Sequence, residues 1–123
     1  MLLKTEAHDN QNREYRFNIE FYVFMEDETY ISYCPSLDIS TSGKTFNEAV
    51  GNFYEMFQLY IESCVENKTL HDDLLAHGWK MQAKTIQPPT FATLMRKPEM
   101  KKLLRGSIGY EKIVTPARIP AVV

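Results

Sequence analysis

The chain has 123 residues, 44% of them hydrophobic, and its 14 Lys+Arg against 16 Asp+Glu leave a formal charge of -2. That length predicts one domain able to bury roughly two-thirds of its unfolded surface, so no covalent staple is needed. Cys34 and Cys64 lack CxxC spacing, which supports neither a disulfide framework nor a zinc knuckle, and no apolar run is long enough for a bilayer span or a signal segment. The expectation is a soluble cytoplasmic protein with both cysteines reduced and buried.

Residues 1–14 form a polar N-terminal segment once Leu2 and Leu3 are passed. From 15 to 25 the alternation is nearly strict, with Tyr15, Phe17, Ile19, Phe21, Val23 and Met25 on one face. This predicts a half-buried strand. Glu26, Asp27 and Glu28 suit a solvated hairpin tip, and 29–34 read as the returning strand, ended by Pro35. Leu37, Ile39 and Thr41 mark a third short strand. Tyr22, Phe24 and Tyr30 are expected on the sheet face away from the helix that follows, where they need a cover of their own.

Gly43 is expected to supply a positive backbone angle out of the sheet, and Thr45 with Glu48 reads as a capping box. From 46 to about 67 the positions Ala49, Phe53, Met56, Phe57, Tyr60, Ile61 and Cys64 recur at three and four, drawing one broad stripe down a helix close to 30 Å long. A short helix over 70–77 stopped by Gly78 follows, and 79–84 alternate as a fourth strand.

The charge is unevenly placed. Residues 1–79 hold 5 Lys+Arg against 14 Asp+Glu, or -9, while residues 80–123 hold 9 against 2, or +7. Five of the six prolines fall in the basic tail, 87–123, so the only regular element expected there is a helix over 99–105, with Pro98 at its start and Met100, Leu103 and Leu104 on one face. The tail is expected to dock on the 15–86 body or on a second subunit. The fold class that results is α+β: an antiparallel sheet of three to four strands with one long helix on one face, in the order β-β-β-α-(α)-β.

Candidate chemistry is sparse. Gly43-Lys44-Thr45 lacks the first glycine of a phosphate loop, since Asp38 stands where that glycine belongs and its carboxylate would repel phosphate. His71 and His77 are six apart, on different faces of any helix, so with Asp72 and Asp73 they read as a surface turn and not as a metal site. Neither cysteine nor any serine stands in a nucleophile context. No catalytic, metal or cofactor residues are assigned, and no enzyme is expected. The basic residues Arg96, Lys97, Lys101, Lys102 and Arg105 carry two readings, phosphate contact in a nucleic-acid complex or neutralisation of the acidic body.

Tyr33 or Tyr30, then Pro35, Leu37, Gly43, Thr45, Glu48-Ala49 and Asn52 follow a strand, Y-x-x-x-x-P-x-L, short strand, G-x-T-x-x-E-A-x-x-N, long helix pattern. In this the segment 17–82 resembles the HicB-like antitoxin family (UPF0150-type). It departs at Asp38-Ile39-Ser40, where many members read proline-glycine-cysteine, and at Lys44, where an acid is common. The tail also does not read as a standard helix-turn-helix or ribbon-helix-helix.

The resemblance implies a bacterial toxin-antitoxin component that binds and occludes a small basic RNA-cleaving toxin of HicA type, and a homodimer or higher homo-oligomer. An acidic body suits such a partner. The contacts expected for it are Glu26, Asp27, Glu28, Asp38, Asp72 and Asp73. The alternative is a nucleic-acid-binding transcriptional regulator working through the basic tail.

Overall fold

The structure, a computed structural model, describes residues 3–4, 14–82, 85–106 and 109–120. Its first long element is strand β2 (Glu14–Glu26), preceded by the two-residue β1 (Leu3–Lys4). Tyr15, Ile19, Phe21 and Val23 are buried on one face of β2, as the alternation requires. A two-residue turn leads into β3 (Thr29–Cys34), with Glu26 facing Thr29. Both turn residues are left-handed, Asp27 at φ 51° and Glu28 at φ 64°, the sign pattern that matches the twist of paired strands. A second turn through Asp38 (φ 55°) brings in β4 (Ile39–Gly43), with Leu37 buried before it.

Helix α1 (Phe46–Glu66) begins where expected: Thr45 is the N-cap, and its hydroxyl accepts from the Glu48 amide at 3.0 Å. The reason for Gly43 differs from the expectation, for it lies within β4 and its φ is not positive. A Cβ there would stand 2.5 Å from the Ala49 nitrogen and 2.8 Å from the Glu48 carbonyl carbon. Glycine lets the helix backbone press directly on the strand. Two further bonds tie this corner: the buried Ser32 hydroxyl donates to the Ala49 carbonyl at 2.8 Å, and Asn52 Nδ2 donates to the Ser42 carbonyl at 2.8 Å.

The stripe on α1 is narrower than its seven apolar positions imply. Ala49, Phe53, Phe57 and Ile61 are buried against the sheet, with Phe53 stacked on Phe21 of β2 at 4.0 Å, whereas Met56, Tyr60 and Cys64 are only half-buried. Helix α2 (Leu70–Ala76) adds Leu70 and Leu74 to the same core and ends at Gly78, whose φ of 88° favours glycine.

The fourth strand is not the one expected. Trp79 leaves the strand phase and drops into the core, edge-on to Phe17 at 5.0 Å and donating from Nε1 to the Ser36 carbonyl at 2.7 Å. Only β5 (Lys80–Met81) follows, paired with β6 (Ile86–Gln87) in a separate two-stranded ribbon; residues 83 and 84 of the expected strand lie outside the described residues.

The sheet is completed from the tail, where no strand was expected. After the short helices α3 (Phe91–Leu94) and α4 (Pro98–Arg105), β7 (Tyr110–Pro120) runs antiparallel along β2 for eleven residues, from Phe24 opposite Tyr110 to Glu14 opposite Pro120. The strand order is β1-β7-β2-β3-β4, with β1 parallel to β7 and the other four antiparallel. Pro116 and Pro120 are accommodated because, among the described residues, only Leu3 and Lys4 pair with the outer side of β7.

The α+β expectation therefore holds with the four-stranded antiparallel sheet and α1 on one face, and α4 covers part of the other. Met100 and Leu103, with Leu104 beside them, pack on Tyr22, Phe24 and Tyr33. Tyr30 is not part of that second layer: register places it opposite Met25, on the α1 face, where it meets Phe46 edge-on. Among the described residues no helix is long and apolar enough to cross a membrane.

Candidate functional site: an acid-rimmed groove

Between the β2–β3 hairpin and α4 runs a groove of about 620 Å³. Its floor is apolar and aromatic, made of Phe24, Ile31, Tyr33 and Leu103, because α4 covers only part of that sheet face. Its rim carries four carboxylates, Glu26, Asp27, Asp38 and Glu99, against one amine, Lys102. Helical spacing explains the α4 side. Met100, Leu103 and Leu104 face the sheet, while Glu99, Lys102 and Gly106, at i, i+3 and i+7, line the opening.

Asp38 is held in place. Tyr33 donates to its Oδ1 at 3.1 Å, and the Lys97 amine stands 3.7 Å away. The Tyr33 phenol is pushed well above its ordinary value, first by burial, then by the Asp38 charge and the bond to it. It is a neutral donor at physiological pH. Cys34, behind the sheet, is pushed up to about 11 by burial and is no nucleophile.

The expected contact residues divide. Glu26, Asp27 and Asp38 meet at the groove, and Glu28 sits exposed at the hairpin tip beside it. Asp72 and Asp73 lie instead on the α1 side of the sheet, in the first turn of α2. Asp73 accepts from the Tyr60 hydroxyl and lies 3.8 Å from His77, a packing role between α1 and α2. Among the described residues no three acidic, histidine or cysteine side chains converge closely enough to hold a metal ion. Spread along a rim in this way, the carboxylates suit an extended cationic surface better than a point charge.

The basic residues divide as well. Lys97 and Lys102 turn toward the acids of the groove, and Arg96, Lys101 and Arg105 are exposed, with Lys101 and Arg105 one turn apart on α4. Elsewhere in the tail Lys112 lies 3.5 Å from Glu20, and Arg118 lies 3.7 Å from Glu14. Tail cations thus fold back onto body acids in three places, each pair worth little by itself in water.

Sequence reasoning placed Phe24 on this outer face but missed Glu99 and the part of the floor made by Ile31 and Tyr33. Glu99 reads as an ordinary first-turn helix acid, and Tyr33 joins the floor only through its register opposite Tyr22. No family model matches this chain, and neither the curated proteins nor the solved structures compared with it yield a match.

Proposed function

We propose that this chain is a non-catalytic binding protein, a HicB-like antitoxin or an antitoxin-derived interaction protein, that occludes a small basic RNA-cleaving partner of HicA type. The observation that carries the reading is the groove, with an apolar floor for side-chain stems under a rim of four carboxylates, of which Asp38 is paired with Lys97 and the others face Lys102 alone. That chemistry accepts lysine and arginine side chains, whose stems cover apolar surface while their charges meet acids. The residues behind the resemblance support it further, because they work together at one corner. Gly43 admits the helix backbone, Thr45 caps the helix, and Asn52 ties it to β4. A protein binding through this rim competes directly with RNA phosphate for the same cations.

The test is the association rate with a purified small basic RNA-cleaving protein of HicA type. The triple variant Glu26→Lys, Asp27→Lys, Glu99→Lys changes exposed rim positions and is expected to slow association at least about tenfold at low salt, with the deficit shrinking as salt rises. An unchanged association rate removes the groove from the interface.

A second reading, nucleic-acid regulation through the tail, rests on the exposed Arg96, Lys101 and Arg105. Titration with promoter DNA at two salt concentrations tests it: affinity falling steeply with salt supports it, and no binding at low salt ends it.

A further inference from the structure

On the outer face of the sheet, away from the residues that α4 covers, Arg16 of β2 stands directly opposite Arg118 of β7. Like charges facing each other across a ladder repel. On the far side of β7, register sets Lys4 opposite Arg118, so three basic residues fall in one row across three neighbouring strands. The carboxylate that answers them is Glu14, whose Oε2 lies 3.7 Å from Arg118 Nη1, beyond hydrogen-bond reach. Among the described residues Arg16 meets no acid at all.

Arg118 is the less satisfied of the two for its burial. Its side chain is only 23% exposed, and its Nε is buried with no hydrogen-bond partner. Burial of the stem follows from packing on the sheet, but a sunken guanidinium without an acceptor costs stability that packing alone does not explain. Both arginines line a shallow cleft of about 360 Å³, flanked by Asn18 and Pro116. Two opposed forks, an orphaned donor and an open cleft call for the same thing, an oxyanion.

We propose that this cleft binds the terminal phosphate of a small phosphorylated molecule, clamped between Arg16 and Arg118 as the latter turns its Nε edge into the cleft. One phosphate presents oxygens to both forks at once, so it supplies the missing acceptors and cancels the repulsion between them. Charge selects the class. Three basic residues against one acid leave the row at a formal +2, which a phosphomonoester dianion neutralises. A nucleic-acid strand fits less well, because successive phosphates need a track of cations. Here the neighbouring rows hold Asn18 opposite Pro116 and Glu14 opposite Pro120, and Lys112 further along lies against Glu20. The cleft is ten residues along β2 from Glu26, roughly 33 Å of extended strand, so it stands apart from the acid-rimmed groove and needs no toxin.

Isothermal titration calorimetry of the full chain with phenyl phosphate at constant ionic strength tests it. The wild type is expected to show saturable binding at one site per chain. Arg16→Gln, at an exposed position, should weaken binding at least about tenfold with the circular dichroism spectrum unchanged. Arg118→Lys keeps the charge but loses the fork and should weaken it in the same direction, whereas Lys44→Gln, exposed at the opposite edge of the sheet, should leave it unchanged. A wild type that does not bind overturns the inference, as does binding indifferent to Arg16→Gln or equally weakened by Lys44→Gln. An oligoribonucleotide without terminal phosphates that binds more tightly than phenyl phosphate overturns the assignment to a terminal phosphate.

Discussion

Asp38 occupies a left-handed backbone position, accepts the Tyr33 hydroxyl and lies within reach of Lys97, so one side chain joins the β3–β4 turn to the start of α4. Its effect on Tyr33 can be measured. Burial contributes most to the raised phenol, and Asp38 adds its charge and a hydrogen bond, so Asp38→Asn should lower the Tyr33 titration toward its ordinary value near 10 without reaching it. Because the folded value lies above the unfolded one, the neutral phenol contributes stability that is full below about pH 10 and lost as pH rises through the folded value. The loss begins near the unfolded value in both proteins, so the variant, with its smaller upward shift, should lose less stability in total across the alkaline range. Phenolate absorbance along an alkaline titration follows this, and a Tyr33 transition that does not move would place Asp38 away from the ring in solution. Asp38 is legible in the sequence as an exposed acid. Its contact with Tyr33 is not, because it needs the turn at 35–38 to fold the chain back over β3.

Among the elements, α1 shows how far periodicity reaches. Its start and its length follow from spacing and capping alone, while only four of the seven positions that spacing put on its stripe are buried. Its end carries a misfit. Thr69 donates to the Cys64 carbonyl and Lys68 to the Val65 carbonyl, the paired bonds that close a helix with a left-handed residue, and that residue is Lys68 at φ 60° in place of glycine. A Cβ in this region costs roughly 1–2 kcal/mol, partly offset by the extra entropy glycine loses on folding. Lys68→Gly should therefore stabilise the protein by about 1 kcal/mol, read as a higher denaturation midpoint at unchanged slope. A lower midpoint would mean that the Lys68 side chain makes a contact worth more than the strain. Helix α4 is the counterpart case. Its apolar triad was visible at 100, 103 and 104, but spacing on one helix does not say which surface it covers, and here that surface is the outer face of the sheet at Tyr22 and Tyr33.

At the scale of the molecule, the acidic body and the basic tail are one fold. Strand β7 lies against β2 throughout its length and contributes Ala117 and Ile119 to the core, and the tail cations Lys97, Lys112 and Arg118 lie against body acids. Deleting residues 88–123 should consequently abolish cooperative folding rather than trim an appendage, because it strips β2 of a partner strand and the outer face of α4. Thermal unfolding followed by circular dichroism checks this, and a truncated chain that melts cooperatively near the full-length midpoint would show the tail to be dispensable. The sequence by itself determined the elements whose signals are local: the alternation of β2, the hairpin, the capped and striped α1, and the stop at Gly78. Each depends on residues within a few turns of one another, so a period of two or of three to four suffices to reveal it. Only the tertiary structure decided what depends on distant pairing. Strand β7 was hidden because its inner face, Ile113, Thr115, Ala117 and Ile119, mixes small and polar residues among prolines, and it becomes a strand by lying beside residues about a hundred positions earlier in the chain. The groove was hidden for the same reason, since its floor comes from the sheet, its far wall from α4, and only the folded chain sets one against the other.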